Sequence, residues 1–268
     1  MEKETLSVRF LYQTHLGRFL LKGLVRPWVS KAAGRYLSAG CSKWLVGAYV
    51  KKNAIDLTSY PQREYGSFND FFTRSRPMGQ IDKDKSHLLS PCDAYLSVHP
   101  VDENSVYQIK HMDYDLARLL GDAALAEHYA GGQCLIFRLT PRHYHRYGFF
   151  CDGTVEKNRR IDGKLHCVRP VAYTTVPVLG ENSREYVLIG NRELGSVVQM
   201  EVGALLVGKI CNHPNQKEVR RLAEKGYFEF GGSTIIVLLE KGKAQLDGRF
   251  SADAEVEVTM GEKIGELI

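Results

Sequence analysis

The chain has 268 residues, room for one large domain or two small ones, and its 44% hydrophobic and 25% charged residues exclude a largely disordered polymer. The formal charge of +5 points to an anionic partner, and the excess is local: residues 1–52 hold ten Lys or Arg against Glu2 and Glu4. Six cysteines (Cys41, Cys92, Cys134, Cys151, Cys167, Cys211) lack any C-x-x-C pair, and the N-terminus lacks a secretory block, so a reducing cytosolic compartment is expected.

Residues 6–49 carry a helical pattern broken at Pro27 and again at 38–42. In its first part Arg18, Lys22 and Arg26 recur every four residues, while Leu20, Leu21, Leu24 and Trp28 occupy another face. That is the layout of a helix lying in a membrane interface, or of one packed on the protein's own core. The same cations interrupt the best apolar stretch well short of the roughly 18 residues a span requires, so any membrane contact is peripheral.

Ser67 then caps a short helix in Phe68-Asn69-Asp70-Phe71-Phe72-Thr73-Arg74. From residue 88 the character turns to β, with strand-like runs at 105–110, 133–139, 154–158, 165–178, 185–189, 197–210, 227–240 and 254–258 and helical interruptions at 116–129 and 216–224. The expected class is α+β: an N-terminal amphipathic helical region over residues 1–60 and one mainly antiparallel β-sheet body over 61–268.

Three places carry candidate chemistry. In Thr140-Pro141-Arg142-His143-Tyr144-His145-Arg146 an extended chain puts His143 and His145 on one face; a basic surface turn is the alternative. Ser90-Pro91-Cys92-Asp93 offers a carboxylate behind an apolar run, and equally an ordinary turn aspartate. In Phe230-Gly231-Gly232-Ser233-Thr234 two glycines lead into an apolar strand, permitting either a plain turn or a strained one that presents the Ser233 hydroxyl to a neighbouring carbonyl. His143-x-His145 and Cys211-x-His213 lack the four-ligand spacing of a structural zinc site, so no metal is expected. No nucleic-acid-binding pattern accompanies the basic N-terminus, so no nucleic-acid partner is expected either.

Taken together, Phe68 to Arg74 followed by Arg76-Pro77, then Ser90-Pro91-x-Asp93, Tyr144-His145-Arg146 and Gly232-Ser233-Thr234 resemble the phosphatidylserine decarboxylases, in that family's order and over nearly the whole chain. The resemblance implies self-cleavage between Gly232 and Ser233 into a large and a small chain that stay associated. Ser233 becomes a pyruvoyl group: its hydroxyl attacks the Gly232 carbonyl, the resulting ester eliminates, and hydrolysis of the dehydroalanine releases ammonia. By the same resemblance His145 is the base and proton donor, and Asp93 orients it. Many members carry a second histidine where this chain has Gly148, leaving His143, His166 and Thr234 as candidate assistants.

The implied function is conversion of phosphatidylserine to phosphatidylethanolamine and carbon dioxide at the cytoplasmic face of the cell membrane. Arg18, Lys22, Arg26, Leu20, Leu21, Leu24 and Trp28 would touch the anionic surface. Two other readings stay open: a pyruvoyl decarboxylase of a soluble amino acid, and a non-catalytic lipid-binding homologue. Homo-oligomerisation is also left open by the sequence.

Overall fold

The computed structural model describes residues 6–109, 112–167, 178–204, 209–214, 216–230 and 233–268. The helical N-terminus forms α1 (Leu6–Gln13), α2 (His15–Leu24), α3 (Pro27–Ser38) and α4 (Leu45–Asn53). Pro27 opens α3 at its first helical position, where a missing N–H costs nothing, and a 3₁₀ turn at Gly40–Ser42 fills the second expected break. A third break went unforeseen at Thr14, whose hydroxyl accepts from Gly17 N at 3.0 Å and caps α2. Next comes α5 (Phe68–Phe72), and Ser67 Oγ accepts from Asp70 N at 3.2 Å as its cap.

The body contains β1 (His87–Leu89), β2 (Ala94–Pro100), β3 (Val106–Ile109), β4 (Met112–Asp115), β5 (Gln133–Leu139), β6 (Arg146–Gly148), β7 (Gly153–Ile161) and β8 (Arg184–Asn191). It continues with β9 (Gly195–Val202), β10 (Ile210–Asn212), β11 (Glu218–Val219), β12 (Glu224–Phe228), β13 (Ser233–Leu239), β14 (Ala244–Leu246), β15 (Val256–Val258) and β16 (Lys263–Leu267). The main sheet runs β11-β7-β8-β9-β13-β5-β2-β15, every neighbouring pair antiparallel. Two three-stranded sheets, β1-β16-β14 and β10-β12-β6, and the β3-β4 hairpin complete an α+β architecture.

Strand β13 lies between β9 and β5, and all seven of its residues are buried. Burial on both faces explains its unbroken apolar run. Ile236 and Leu238 join a core with Met200, Tyr186 and Leu116; Ile235, Val237 and Leu239 join another with Phe137, Tyr147 and Phe228. The N-terminal helices are not a loose appendage, because Tyr12, Leu21 and Val25 belong to the first of these cores.

Some expected elements differ. Residues 216–224 form no helix: β11 lies there, Leu222 has φ +64°, and the segment's backbone exchanges hydrogen bonds with Phe149 at 2.8 and 2.9 Å. The expected strand at 165–178 meets irregular chain at 165–167 and a helical turn at Val178–Glu181, with 168–177 outside the described residues. The runs 197–210 and 227–240 each resolve into two strands, β9 with β10 and β12 with β13; 205–208 and 231–232 fall outside the described residues. Lys110, the end of the first expected run, is also outside them.

Beside the head of β13 sits a buried ion pair. Glu201, the β9 partner of Ile235, is bound through Oε2 by Lys225 Nζ and by Asn212 Nδ2 at 3.0 Å. Burial pushes the Glu201 carboxyl above its usual range, Lys225 working against it. Breaking such a pair leaves one charge buried alone, so Lys225→Met is expected to cost about 3–5 kcal/mol, and adding Glu201→Leu should recover much of the loss. Urea denaturation of both variants at pH 7.5 checks this; equal losses in the two would contradict it.

Candidate active site

Ser233 is the first residue of β13, paired with Leu139 of β5, while the next residue, Thr234, pairs with Val202 of β9. Strand alternation points Ser233 to the same face as Ile235 and Val237, and Thr234 to the opposite face. Ser233 is only 1% exposed, and among the described residues neither its Oγ nor Thr234 Oγ1 has a hydrogen-bond partner. A buried hydroxyl left without a partner costs roughly 1–3 kcal/mol, so it calls for a reason. Gly232, the other half of the expected cleavage bond, lies outside the described residues.

The loop after β5 does not stay extended. His143 N donates to Thr140 O at 3.0 Å, closing a turn, and both histidines are buried rather than forming a basic surface turn. His145 Nδ1 donates to the His143 carbonyl at 2.9 Å, which in the neutral ring leaves the lone pair on Nε2. His143 has the opposite arrangement: its Nδ1 accepts from Thr140 N at 3.0 Å, and its Nε2 faces Glu257 Oε1 at 3.5 Å. Burial holds His143 below the usual histidine range although Asp93 and Glu257 both pull it up.

Asp93 is buried, and its Oδ1 accepts from Arg76 Nη2 at 2.7 Å and from Met260 N at 2.8 Å. Arg76 also lies over the Tyr144 ring at 4.5 Å. The backbone bond to His143 therefore orients His145, and the charge of Asp93 is anchored by Arg76 and felt by His143. Arg76 stands within the sequence motif, but spacing alone gave no sign that it would grip Asp93.

Helix α5 supplies the wall. Phe72 packs on the His145 ring with centroids 4.1 Å apart, and Phe230 is enclosed by Phe68 at 4.9 Å, Phe72 at 5.2 Å and Tyr49 at 5.8 Å. Asn69 Oδ1 accepts from Phe230 N at 3.3 Å, and Phe228 N donates to the His145 carbonyl at 2.9 Å. The segment entering Ser233 and the histidine loop are thus tied to the same helix. Sequence reasoning gave Phe72, Asn69 and Phe230 no role, since their contacts join residues far apart in the chain.

His166 stands on the other side of the strand head. Its backbone is held by Asn182 at 2.8 and 2.9 Å, and Asn182 Nδ2 also donates to Gly203 O at 2.7 Å, next to the β9 residue that pairs with Thr234. Its ring lies 6.3 Å from that of Tyr12 and its Nε2 3.5 Å from Glu181. Gly148 leaves no room for a second histidine in this backbone, because a Cβ there would stand 2.7 Å from Leu222 Cα. Among the described residues no group of three His, Cys, Asp or Glu side chains could hold a metal ion.

The family model for phosphatidylserine decarboxylase matches residues 68–266. The chain belongs to the phosphatidylserine decarboxylase family. Phosphatidylserine decarboxylase proenzyme 2 of Clostridium acetobutylicum is 42% identical over 267 residues, covering 97% of this chain and 91% of the relative. The proenzymes of Clostridium novyi and Clostridium tetani are 37% and 34% identical, covering 96% and 97% of this chain and 92% and 91% of their own lengths. The family match begins at α5, so the helix that walls the histidine loop lies inside it.

Burial also holds His166 below the usual range, Glu181 opposing the shift. Both histidines resist protonation in the folded state, while the unfolded chain takes up protons near pH 6.5. Their contribution to stability is therefore complete above about pH 6.5 and is lost as pH falls toward their folded values. The urea midpoint should drop between pH 7.5 and 5.5. His166→Leu should flatten that drop, because the Asn182 bonds run to the His166 backbone and survive.

Proposed function

We propose that the chain is made as a proenzyme, cleaves itself between Gly232 and Ser233, and uses a pyruvoyl group derived from Ser233 to decarboxylate phosphatidylserine. The family supports the reaction, which releases carbon dioxide and leaves phosphatidylethanolamine. The single observation that carries the self-processing reading is the Ser233 hydroxyl, buried at the head of β13 with no partner among the described residues. A group that must leave its own hydrogen bonding to attack a carbonyl fits such a position, and the residues around it fit the group it would become.

The chain's own residues then divide the work. His145, with Nδ1 committed to a carbonyl, offers Nε2 as the base for the Ser233 hydroxyl and later as a proton donor to the substrate carbon. Phe72 fixes the ring and keeps water from it. Asp93, held by Arg76 Nη2 and Met260 N, acts on the histidine loop through His143, which it pulls upward against burial. His143 and His166 are held neutral by burial, and Thr234 faces the far side of the sheet, so all three act as supports of the strand head. Once formed, the pyruvoyl group supplies the carbonyl that takes the substrate amine and accepts the electrons freed as carbon dioxide leaves.

Ser233→Ala should leave a single uncut chain with no activity. Asp93→Asn should slow cleavage, and His145→Ala should abolish both maturation and turnover. Intact-mass measurement reads all three, since the cut chain separates at Gly232 from a fragment spanning 233–268. Active protein with an uncut Ser233 would overturn the proposal.

Peripheral membrane contact is part of the same reading. Among the described residues no helix is long and apolar enough to cross a bilayer. On α2 and the start of α3, Leu16 (63% exposed), Phe19 (72%), Leu20 and Trp28 (65%) stand out beside the exposed Arg18, Lys22 and Arg26. The expected lipid face is corrected here: Leu21 is 5% exposed and packs into the core, Leu24 is half-buried, and Leu16 and Phe19 take their place. Such a surface suits the anionic cytoplasmic leaflet. At about 1 kcal/mol for each cation, reversing Arg18, Lys22 and Arg26 to Glu should weaken binding to phosphatidylserine vesicles more than tenfold. Self-cleavage should be unchanged; loss of both together would mean that the helix serves only the core.

A further inference from the structure

A cleft of about 930 Å³ opens between one face of α3 and the chain where β7 ends and β10 begins. On α3 its wall is made by Ser30, Lys31, Gly34, Arg35 and Ser38, a helical i, i+4 stripe. Facing it are Arg160 and Asp162, ion-paired at 3.2 Å, and Lys209 and Glu229, ion-paired at 2.8 Å. These two pairs cancel. Lys31 and Arg35 have no ion-pair or hydrogen-bond partner among the described residues, so the cleft keeps two uncompensated cations.

Two further features point to a ligand. Ser30 is 9% exposed and among the described residues its Oγ has no hydrogen-bond partner. Gly34 has open space in front of it, with nothing within 4 Å of where a Cβ would stand. Small residues at 30, 34 and 38 keep the cleft open while the cations at 31 and 35 border it.

The cleft is also linked to the strand head from both sides. Ser38 Oγ accepts from Asn69 Nδ2 at 2.9 Å, and the same Asn69 holds Phe230 N. On the opposite wall, Ser183 O accepts from Gly203 N at 2.9 Å, and Gly203 follows Val202, the partner of Thr234. A ligand in the cleft therefore lies one hydrogen bond from Asn69, which holds Phe230, and one from Gly203, which follows the partner of Thr234.

We propose that this cleft is a phosphate-ester site, with Lys31 and Arg35 binding the phosphodiester of the lipid head group while the serine moiety reaches the Ser233 end of β13. The inference rests on the phosphatidylserine reading for its source of phosphate. A guanidinium and an ammonium one helical turn apart suit a tetrahedral anion, Arg by paired N–H donors and Lys as a point charge. Ser30 and Ser38 add neutral hydroxyls without bringing charge.

The test separates binding from chemistry. Full-length Ser233→Ala protein, which cannot mature, is titrated calorimetrically with water-soluble glycerophosphoserine and, separately, with inorganic phosphate. Glycerophosphoserine should bind, and Lys31→Gln and Arg35→Gln should each weaken it by about tenfold, the scale of one charge-assisted hydrogen bond. Gly34→Leu, which fills the cleft, should abolish binding while the urea midpoint stays within that of the parent. Unchanged affinity in the Lys31→Gln/Arg35→Gln double variant overturns the proposal. Binding of inorganic phosphate without glycerophosphoserine overturns the lipid source. If the parent chain fails to release carbon dioxide from phosphatidylserine yet these affinities behave as stated, the activity has failed and the site has not.

Discussion

Ser233 begins a strand that is hydrogen-bonded on both edges and buried on both faces, and this immobility is the constraint on which the site depends. A slip of one residue would turn the five apolar side chains from Ile235 to Leu239 to the wrong faces, so the register is held by the whole core. Three residues before it, Phe230 is fixed equally firmly by Phe68, Phe72, Tyr49 and the Asn69 amide. The bond proposed for cleavage thus lies in the chain between two anchored residues, Phe230 and Ser233.

Burial sorts the polar groups around that point into two kinds. His143, His166 and Glu201 are pushed toward their neutral forms by loss of water. Asp93 instead has Arg76 and a backbone N–H to support its charge. The Asp93 carboxylate, gripped by Arg76, pulls His143 upward against the effect of its burial.

The N-terminal helices connect this chemistry to the surface proposed to meet lipid. Tyr49 of α4 donates to Pro141 O in the histidine loop and packs on Phe230, Ser38 of α3 holds Asn69, and Tyr12 and Leu21 enter the sheet core. The cations and exposed aromatics of α2 and α3 are therefore on elements packed directly against the catalytic body.

Several features were legible in the residues alone because they are local. The Ser67 cap, the Pro27 boundary, the continuous apolar run of β13 and the ordered family motifs each depend on neighbours within a few positions. The antiparallel α+β class followed from short strands separated by turns. The helix expected at 216–224 failed because that backbone is held by Phe149, some seventy residues earlier, and Leu21 turned inward because the sheet supplies an apolar surface that a helical wheel cannot contain. For the same reason the sequence named Asp93, His145 and Ser233 but could not show that Arg76 holds the first, that the His143 carbonyl and Phe72 hold the second, or that the third would lie buried with no partner among the described residues. Residue types and short spacings decide which chemistry is available; contacts between distant segments, made only when the core closes, decide which groups are charged, oriented and dry.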